Sequence, residues 1–389
     1  MTESMTPQLA PKDRCTGCSA CMSGCPKGAI HLLPDREGFL YPTITDACIQ
    51  CGHCTHICPV LKQREERAEP AAFVVWNLDD DVRLSSSAGG VFSPLADYVL
   101  ESGGIVFGAA FDKNLHVRHI AVRDKEELPR LRGAKLVQSE IGDSYMKVRM
   151  YLDRGRKVLF SGTPCQVDGL YRFLGESPEN LITCDFACSG VPSPGVWEHM
   201  VRSIAYVKRK QPVAVDFCAK LPGDRDRRFR VRFDDDSTFD APLPKSEYGR
   251  GLDRGLFLRP ACHHCAYACI QHPSDLTLAA CTAAAKDFYT AERKKGVSLL
   301  LVNTPKGAHI FDTLPLKRER CDLRDAVNVN PALSAPMDAS RDRAAFFDAY
   351  ARQPFQDVRN RFLALPHLSY QVANHGLERV KHLWKRKGK

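Results

Sequence analysis

Residues 15–26 read CTGCSACMSGCP, and residues 48–59 read CIQCGHCTHICP. Both segments fit the pattern C-x2-C-x2-C-x3-C-P without a mismatch, and each cysteine of the first recurs 33 positions later in the second. Three thiolates on one tight loop bind three corners of a [4Fe–4S] cubane, and the fourth cysteine, which precedes proline, reaches the other cluster. The repeat therefore predicts a two-cluster module, for which we expect an α+β, ferredoxin-like fold.

Crossed ligation divides the eight cysteines into two sets. The first cluster takes Cys15, Cys18, Cys21 and Cys58, and the second takes Cys48, Cys51, Cys54 and Cys25. Small residues between the cysteines let backbone amides point at the sulfurs and stabilise their charge. Zinc, which also binds paired cysteines, is the alternative, but zinc sites use separated pairs rather than a run of four closed by proline.

The composition is that of a globular protein with an unusual number of thiols. The chain has 389 residues, of which 44% are apolar and 26% charged, and 17 are cysteines. The N-terminus lacks a basic region followed by an apolar stretch, so we expect a cytoplasmic protein whose cysteines are metal ligands rather than disulfides. No apolar run approaches the roughly 18 residues that would span a bilayer.

The net charge of +9 indicates which kinds of partner the protein favours. It favours an acidic partner, an anionic substrate or an anionic membrane surface, with a merely solvating basic surface as the alternative. No stripe of interleaved basic and aromatic residues accompanies it, so we expect no nucleic-acid partner. Near the C-terminus, Leu377, Val380, Leu383 and Trp384 recur at helical spacing among basic residues. This tail is a candidate for peripheral membrane contact, and a docked terminal helix is the alternative.

Changes in pattern divide the chain into three predicted domains, at residues 1–67, 68–320 and 321–389. The first is the two-cluster module, and the last is a helical extension with a basic tail. Between them, short apolar runs at 72–76, 105–110, 157–160, 181–185 and 297–302 alternate with helical stretches. That alternation predicts an α/β domain with a mixed sheet. Residues 229–239 alternate apolar and polar around three aspartates, which predicts a β-hairpin.

Six further motifs, in this order, point to one family. They are SSSAGGVFSPLADYVLESGGIVFGAAFD (85–112), LRGAKLVQSEIGDSY (131–145), VLFSGTPCQVDGL (158–170), CDFACSGVPSP (184–194), LRPACHHC (258–265) and SDLTL (274–278). Behind a two-cluster ferredoxin unit, this series resembles the coenzyme F420 (deazaflavin) hydrogenase and dehydrogenase beta subunit family. The resemblance implies a flavoprotein, with FAD as the expected flavin, in which clusters relay electrons between a one-electron and a two-electron carrier.

The resemblance also implies a third [4Fe–4S] cluster, bound by Cys165, Cys188, Cys262 and Cys265. The residues agree in outline, because Cys165 follows a predicted strand at the start of a helix, where the helix dipole favours a thiolate. Cys188 follows another strand, and the last two form a C-x2-C pair. Three alternatives remain: a substitute ligand (Cys269, His263 or His264), a zinc site, or four cysteines that are plain core residues.

The flavin site is predicted less directly. The turn that contains Ser86, Ser87, Gly89 and Gly90 precedes a helical stretch, where backbone amides bind phosphate, and an ordinary helix cap is the alternative. Lys135 is a candidate cation for the flavin or its phosphates. Neither a G-x-G-x-x-G nor a G-x4-G-K-[ST] motif is present, so a Rossmann site or a P-loop is not supported.

Three departures from the family pattern bear on function. Residues 279–283 read AACTA where the family carries Gly-Asp-Phe-Trp-Gly, Ser189 replaces a histidine, and residues 217–220 read FCAK in place of Phe-Arg-Asp-Lys. We expect an iron–sulfur flavoenzyme that accepts electrons from a ferredoxin-like or other redox protein and acts on an unknown small-molecule substrate. The alternatives are an electron-transfer subunit that docks to a partner enzyme and a binding module with a structural metal.

Overall fold

The computed structural model describes residues 6–62, 67–220, 227–281 and 295–364. The N-terminal module holds α1 (Ala20–Ser23), β1 (Ile30–Pro34), β2 (Leu40–Ile44) and α2 (His53–His56), and its two strands form an antiparallel hairpin. Each cysteine repeat forms one short helix. Ser19 and Gly52, which are equivalent positions of the repeat, both precede their helix with a left-handed backbone, at φ 67° and 70°. The sequence duplication is therefore a duplication of structure.

The rest of the described chain is an α/β assembly, as predicted. Its strands are β3 (Ala71–Asn77), β4 (Ile105–Phe111), β5 (Val117–Val122), β6 (Val158–Ser161), β7 (Leu181–Phe186), β8 (Pro212–Ala219), β9 (Arg228–Phe233), β10 (Thr238–Pro242), β11 (Leu276–Ala280), β12 (Ser298–Val302) and β13 (Leu316–Cys321). The five predicted runs are confirmed as β3, β4, β6, β7 and β12, and the predicted hairpin is β9–β10.

Helices cover both faces of the main sheet and continue beyond it. They are α3 (Asp80–Leu84), α4 (Phe92–Glu101), α5 (Ser144–Asp153), α6 (Pro164–Leu174), α7 (Pro194–Lys208), α8 (Glu247–Asp253), α9 (Pro305–Thr313), α10 (Leu323–Val329), α11 (Arg343–Arg352) and α12 (Phe355–Phe362). Short 3-10 turns lie at Leu128–Leu131, Leu243–Lys245, Pro260–His264 and Pro331–Leu333. In the ranges given above, no helix is long and apolar enough to cross a membrane.

The main sheet is mixed and has eight strands in the order β13-β3-β12-β11-β7-β6-β4-β5. The strands β3, β11, β7, β6 and β4 run in one direction, and β13, β12 and β5 run in the other. The carboxyl ends of β6 and β7 therefore meet at one edge, which is where open α/β sheets build their sites. The strands β8–β10 form a separate antiparallel sheet.

The N-terminal module shares its core with the α/β assembly. Phe39 precedes β2 and Tyr41 lies in it. Both are buried in one cluster with Trp197, Phe257 and Phe346. A close backbone contact fixes this junction: a Cβ atom on Gly38 would lie 2.7 Å from the Cα atom of Gly195, and Gly195 donates a hydrogen bond to the Gly38 carbonyl. Tight packing across the junction holds the two cysteine-rich regions at a fixed separation.

Two of the predictions fall largely outside the described residues. The charged stretch that ends the first predicted domain lies at 62–67, of which 63–66 are not described, and the basic tail lies within 365–389. The last predicted domain, where it is described, begins with the end of β13 and continues through α10, α11 and α12. Residues 279–281 of the altered family segment belong to β11 or follow it, and residues 282 and 283 are outside the described ranges.

Candidate functional site

Four cysteines from the two repeats line one cavity. They are Cys15, Cys18, Cys21 and Cys58. The loop that carries the first three curls around the cavity because Gly17 and Ser19 both adopt the left-handed backbone conformation. Cys58 belongs to the other repeat and follows α2. The structure thus brings together the four cysteines that we assign to the first cluster.

The electrostatics of this cavity suit a metal centre. Burial raises the pKa of Cys21 to about 12, and the neighbouring thiols of Cys15 and Cys58 contribute to that rise. Burial likewise raises the pKa of Cys18 well above its ordinary value. A bound metal centre supplies the compensating positive charge that lets such buried thiols become thiolates. The donor set therefore fits an iron–sulfur cluster.

The second repeat forms a more exposed group. Burial raises the pKa of Cys54, and the thiols of Cys48 and Cys51 add to the shift. The Gln50 amide donates to Cys48 Sγ at 3.4 Å, and Cys51 is exposed to solvent. Cys25 lies just after the C-terminal end of α1. That end packs on α2, because a Cβ atom on Gly24 would contact the side chains of Ile57 and His53. Within the described ranges, no three His, Cys, Asp or Glu side chains gather closely enough to hold a single metal ion.

A third group of cysteines meets at the carboxyl edge of the main sheet. Burial raises the pKa of Cys165 to about 12 and that of Cys262 to about 11, and the thiol of Cys265 contributes to both shifts. Burial also raises the pKa of Cys188, and the thiols of Cys262 and Cys165 add to that shift. All four cysteines of the predicted third site are thus mutual neighbours. Burial outweighs the effect that we expected from the helix dipole at Cys165.

Local structure explains why Cys165 points into this group. Thr163 caps α6, and its side chain and that of Gln166 form a capping box, while Pro164 occupies the first helical turn. The Thr163 hydroxyl lies 3.1 Å from Cys165 Sγ. On the other side, the amides of Gly190 and Val191 donate to the sulfurs of Cys188 and Cys262, each at 3.4 Å. Hydrogen bonds of this kind stabilise negative charge on cluster ligands.

Two of the alternative ligands, His263 and Cys269, make hydrogen bonds to backbone carbonyls. His263 Nδ1 lies 2.9 Å from the Met337 carbonyl. The Cys269 thiol donates to the carbonyls of Ala266 and Gln271, at 3.7 and 3.3 Å. These contacts give both side chains a structural role in their loop.

The first and third groups of cysteines are adjacent. The thiol of Cys165 is among the charged neighbours that raise the pKa of Cys18, and both thiols raise the pKa of Tyr145. The side chain of Thr16, in the first repeat, lies close enough to Cys165 to lower the pKa of its thiol, which burial raises. A Cβ atom on Gly169, one turn further along α6, would lie 3.1 Å from Cys18 Sγ. The start of α6 therefore touches both groups.

Several residues at this junction were not predicted. Arg259 is fully buried and donates to the Cys15 carbonyl at 2.6 Å, and Gln138 donates to the Thr16 carbonyl at 3.1 Å. Tyr145 is buried and donates to the Gln166 carbonyl at 2.6 Å. Arg259 stands inside the LRPACHHC motif beside two cysteines, which is a signal that the sequence does carry. No local sequence pattern predicts that Arg259 is buried against the first cysteine repeat, because this burial depends on tertiary packing.

The predicted flavin turn lies elsewhere on the same edge of the sheet. Gly89 donates its amide to Ser298 Oγ at 2.9 Å, and the Asn77 side chain donates to the Gly90 carbonyl at 3.1 Å. The Ser86 hydroxyl donates to the Val82 carbonyl, and Ser87 is half-buried. These contacts tie the turn to β3 and β12, and the Gly89 amide is not available to a phosphate. The turn adjoins β3 and Cys165 follows β6, and these two strands are four strand spacings, or about 19 Å, apart in the sheet.

Two buried lysines, Lys135 and Lys220, have lowered pKa values. Burial lowers the pKa of Lys135 to about 8, and its ammonium donates to the carbonyls of Arg132 and Gly133. Burial lowers the pKa of Lys220 to about 8 as well, and its ammonium donates to the carbonyls of Ala88, Arg83 and Lys295, at 2.6, 2.7 and 2.9 Å. Both lysines therefore hold a buried ammonium group that is hydrogen-bonded to backbone carbonyls.

Comparisons with known proteins identify both parts of the chain. Residues 13–62 match the model of the 4Fe–4S dicluster domain, so the protein is an iron–sulfur protein. Residues 155–327 match the model for the C terminus of the coenzyme F420 hydrogenase/dehydrogenase beta subunit. The α/β part of the chain is therefore similar to the C-terminal part of these beta subunits and follows an N-terminal 4Fe–4S domain, as the sequence motifs indicate.

Two relatives cover different lengths. An uncharacterized ferredoxin of Methanocaldococcus jannaschii is 31% identical over 51 residues, and the match spans 13% of this chain and 66% of the ferredoxin. A chain in the xenon-derivatized F420-reducing [NiFe] hydrogenase complex from Methanosarcina barkeri is similar with a TM-score of 0.46 and 16% identity, over 70% of this chain and 92% of that chain. At that score, no functional detail transfers from it.

Proposed function

We propose that this protein is an iron–sulfur oxidoreductase that relays electrons through three [4Fe–4S] clusters in a row. The first and second clusters use the crossed cysteine sets of the two repeats, and the third uses Cys165, Cys188, Cys262 and Cys265. The observation that carries the proposal is the contact between the first and third groups, through Thr16 and Gly169. When bound, the clusters supply one-electron chemistry, and the chain's own residues position them and tune their potentials.

The exposure of the three groups supports a direction for the relay. Cys51 of the second group is exposed, whereas Cys15 and Cys18 of the first are buried. The third group is packed between α6 and the loop after β7. We propose that a ferredoxin-like or other redox protein exchanges electrons at the second group, because that is where the polypeptide leaves a ligand open to solvent.

We further propose that electrons leave the third cluster for a flavin, FAD, held near Lys135 and Lys220. The two buried ammonium groups support an anionic ligand there. The substrate would then be an unknown small molecule. A subunit without its own substrate is the second candidate, and one observation favours it: the apolar Ala279 and Ala280 on β11 occupy the family's Gly-Asp position, between the third group and the flavin turn.

Metal content tests the three-cluster proposal. The full chain, purified without oxygen, is expected to contain about twelve irons and as much inorganic sulfide, four per cluster. Cys165→Ala is expected to retain about eight. Cys184→Ala is the matched control, because Cys184 is also buried near the end of β7 and lies outside the three groups. A wild-type protein with about eight irons, or a Cys165→Ala variant with the wild-type content, would contradict a third cluster. Bound flavin, measured on the same samples, separates the enzyme from the relay subunit.

A further inference from the structure

Arg259 is a fully buried cation at the junction of the two domains. Its Nε donates to the Cys15 carbonyl at 2.6 Å, and its two terminal nitrogens donate to the Leu40 carbonyl at 3.2 and 3.1 Å. One terminal nitrogen also donates to Gln138 Oε1 at 3.0 Å, and the other lies 3.6 Å from Cys15 Sγ. The guanidinium carbon lies 4.1 Å from the ring centre of Tyr41. Every one of these partners is formally neutral unless the thiol ionises.

Carboxylates are not the counter-ions of this arginine. Among the residues that the structure describes, no Asp or Glu lies within 4.0 Å of its guanidinium, although many other arginines of the chain form such pairs. An isolated charge in a dry interior is costly, so a buried arginine normally has an anion beside it. The groups near Arg259 that become negative are the cysteines. Cys15 of the first group is in contact, and Cys262 of the third group donates its amide to the Arg259 carbonyl at 2.9 Å.

We propose that Arg259 is the shared counter-ion of the first and third iron–sulfur clusters and raises the reduction potentials of both. Four thiolates give each cluster a net negative charge, and one-electron reduction adds another. A buried cation between the two clusters stabilises the reduced form of each, because the dry surroundings screen its charge poorly. The proposal rests on the proposed function, since it assumes clusters at both cysteine groups.

The second cluster supplies an internal control, because the residues that contact Arg259 are not part of its cysteine set. In Arg259→Gln, the midpoint potentials of the first and third clusters are expected to fall, with the equilibrium constant for reduction reduced at least about tenfold, or about 59 mV for one electron. The potential of the second cluster is expected to stay unchanged. Redox titration followed by electron paramagnetic resonance (EPR) measures all three on the full chain. Unchanged potentials, or an equal fall in all three, would overturn the proposal.

Two further variants separate charge from packing. Arg259→Lys keeps the charge and loses the forked hydrogen bonds, so its potentials are expected to stay close to those of the wild type, even if Arg259→Gln does not fold. Gln138→Leu removes neutral hydrogen bonds at the same place and is expected to shift the potentials less than Arg259→Gln does. A large fall in Arg259→Lys would show that charge is not the cause. If wild-type protein contains only the two N-terminal clusters, the three-cluster function fails, whereas the effect of Arg259 on the first cluster is still measured.

Discussion

The Sγ atom of Cys18 lies 3.1 Å from the point that a Cβ atom would occupy on Gly169. Cys18 belongs to the first cysteine repeat, and Gly169 lies one turn into α6, the helix that begins beside Cys165. The absence of a side chain at position 169 lets the cluster-binding loop rest directly on this helix. Gly169 is therefore one of the residues that bring the first and third cysteine groups close together.

Gly169→Ala tests that dependence. Alanine favours the helix by about 1 kcal/mol over glycine, which offsets the tight contact, so we expect little change in the free energy of unfolding. The Cys18 loop must move by a few tenths of an ångström, so the magnetic interaction between the first and third clusters should weaken in EPR spectra of the reduced protein. Gly175→Ala is the control: at φ 77° with open space around it, it should cost about 1 kcal/mol and leave the spectra unchanged.

Crossed ligation predicts which cluster each fourth cysteine serves. Cys58→Ala should remove the same EPR signal that Cys21→Ala removes, because both residues line the first cavity. Cys25→Ala should remove the signal that is lost in Cys51→Ala. If Cys58→Ala and Cys51→Ala lose the same signal, each repeat binds its own cluster and the assignment is wrong.

The junction between the N-terminal module and the α/β domain is expected to be sensitive at Gly38. Its φ is 78°, and a Cβ atom there would lie 2.7 Å from Gly195 Cα, so Gly38→Ala should lower the free energy of unfolding by about 2–4 kcal/mol. Gly28→Ala has the same left-handed strain, at φ 59°, with nothing within 4 Å, and should cost about 1 kcal/mol. Denaturant unfolding of the full chain measures both. Equal losses would mean that the close contact contributes nothing.

Flavin binding should depend on pH if Lys135 holds an anionic phosphate. The pKa of Lys135 is lowered to about 8, so its positive charge is present below pH 8 and is lost as the pH rises through that value. We expect the dissociation constant for FAD to be about tenfold larger at pH 9 than at pH 7. Lys135→Gln should bind weakly and lose most of this dependence, whereas Lys147→Gln, an exposed lysine on α5, should behave as the wild type. An unchanged pH profile in Lys135→Gln would exclude this lysine from the flavin site.

The sequence predicted the parts of this architecture that have local signals. The cysteine repeat and the apolar runs of the central strands are such signals, because ligand spacing and continuous burial leave marks in consecutive residues. The strand β13, which reads LKRERC, was not predicted, since an edge strand exposed on one side carries charges in place of an apolar run. The strand β5 pairs only with β4 in the main sheet and was missed for a similar reason.

The sequence singled out the cysteines of the candidate site but not the other residues that surround them. Cys165, Cys188 and the Cys262–Cys265 pair were named from motifs that lie far apart in the chain, and the meeting of Cys165 with Cys188 follows from the parallel order of β6 and β7. The burial of Arg259 and the contact of Thr16 with Cys165 join residues more than a hundred positions apart. No local pattern marks such contacts, because side-chain packing between domains decides them.

Spin quantification on the fully reduced full chain tests whether three clusters form one relay. We expect the clusters to take up about three electrons per chain, with EPR features of magnetic coupling between the first and third clusters, and we expect that coupling to be lost in Cys165→Ala. Uptake of about two electrons, with a spectrum that Cys165→Ala leaves unchanged, would contradict a three-cluster relay, because the relay would then end at the N-terminal module.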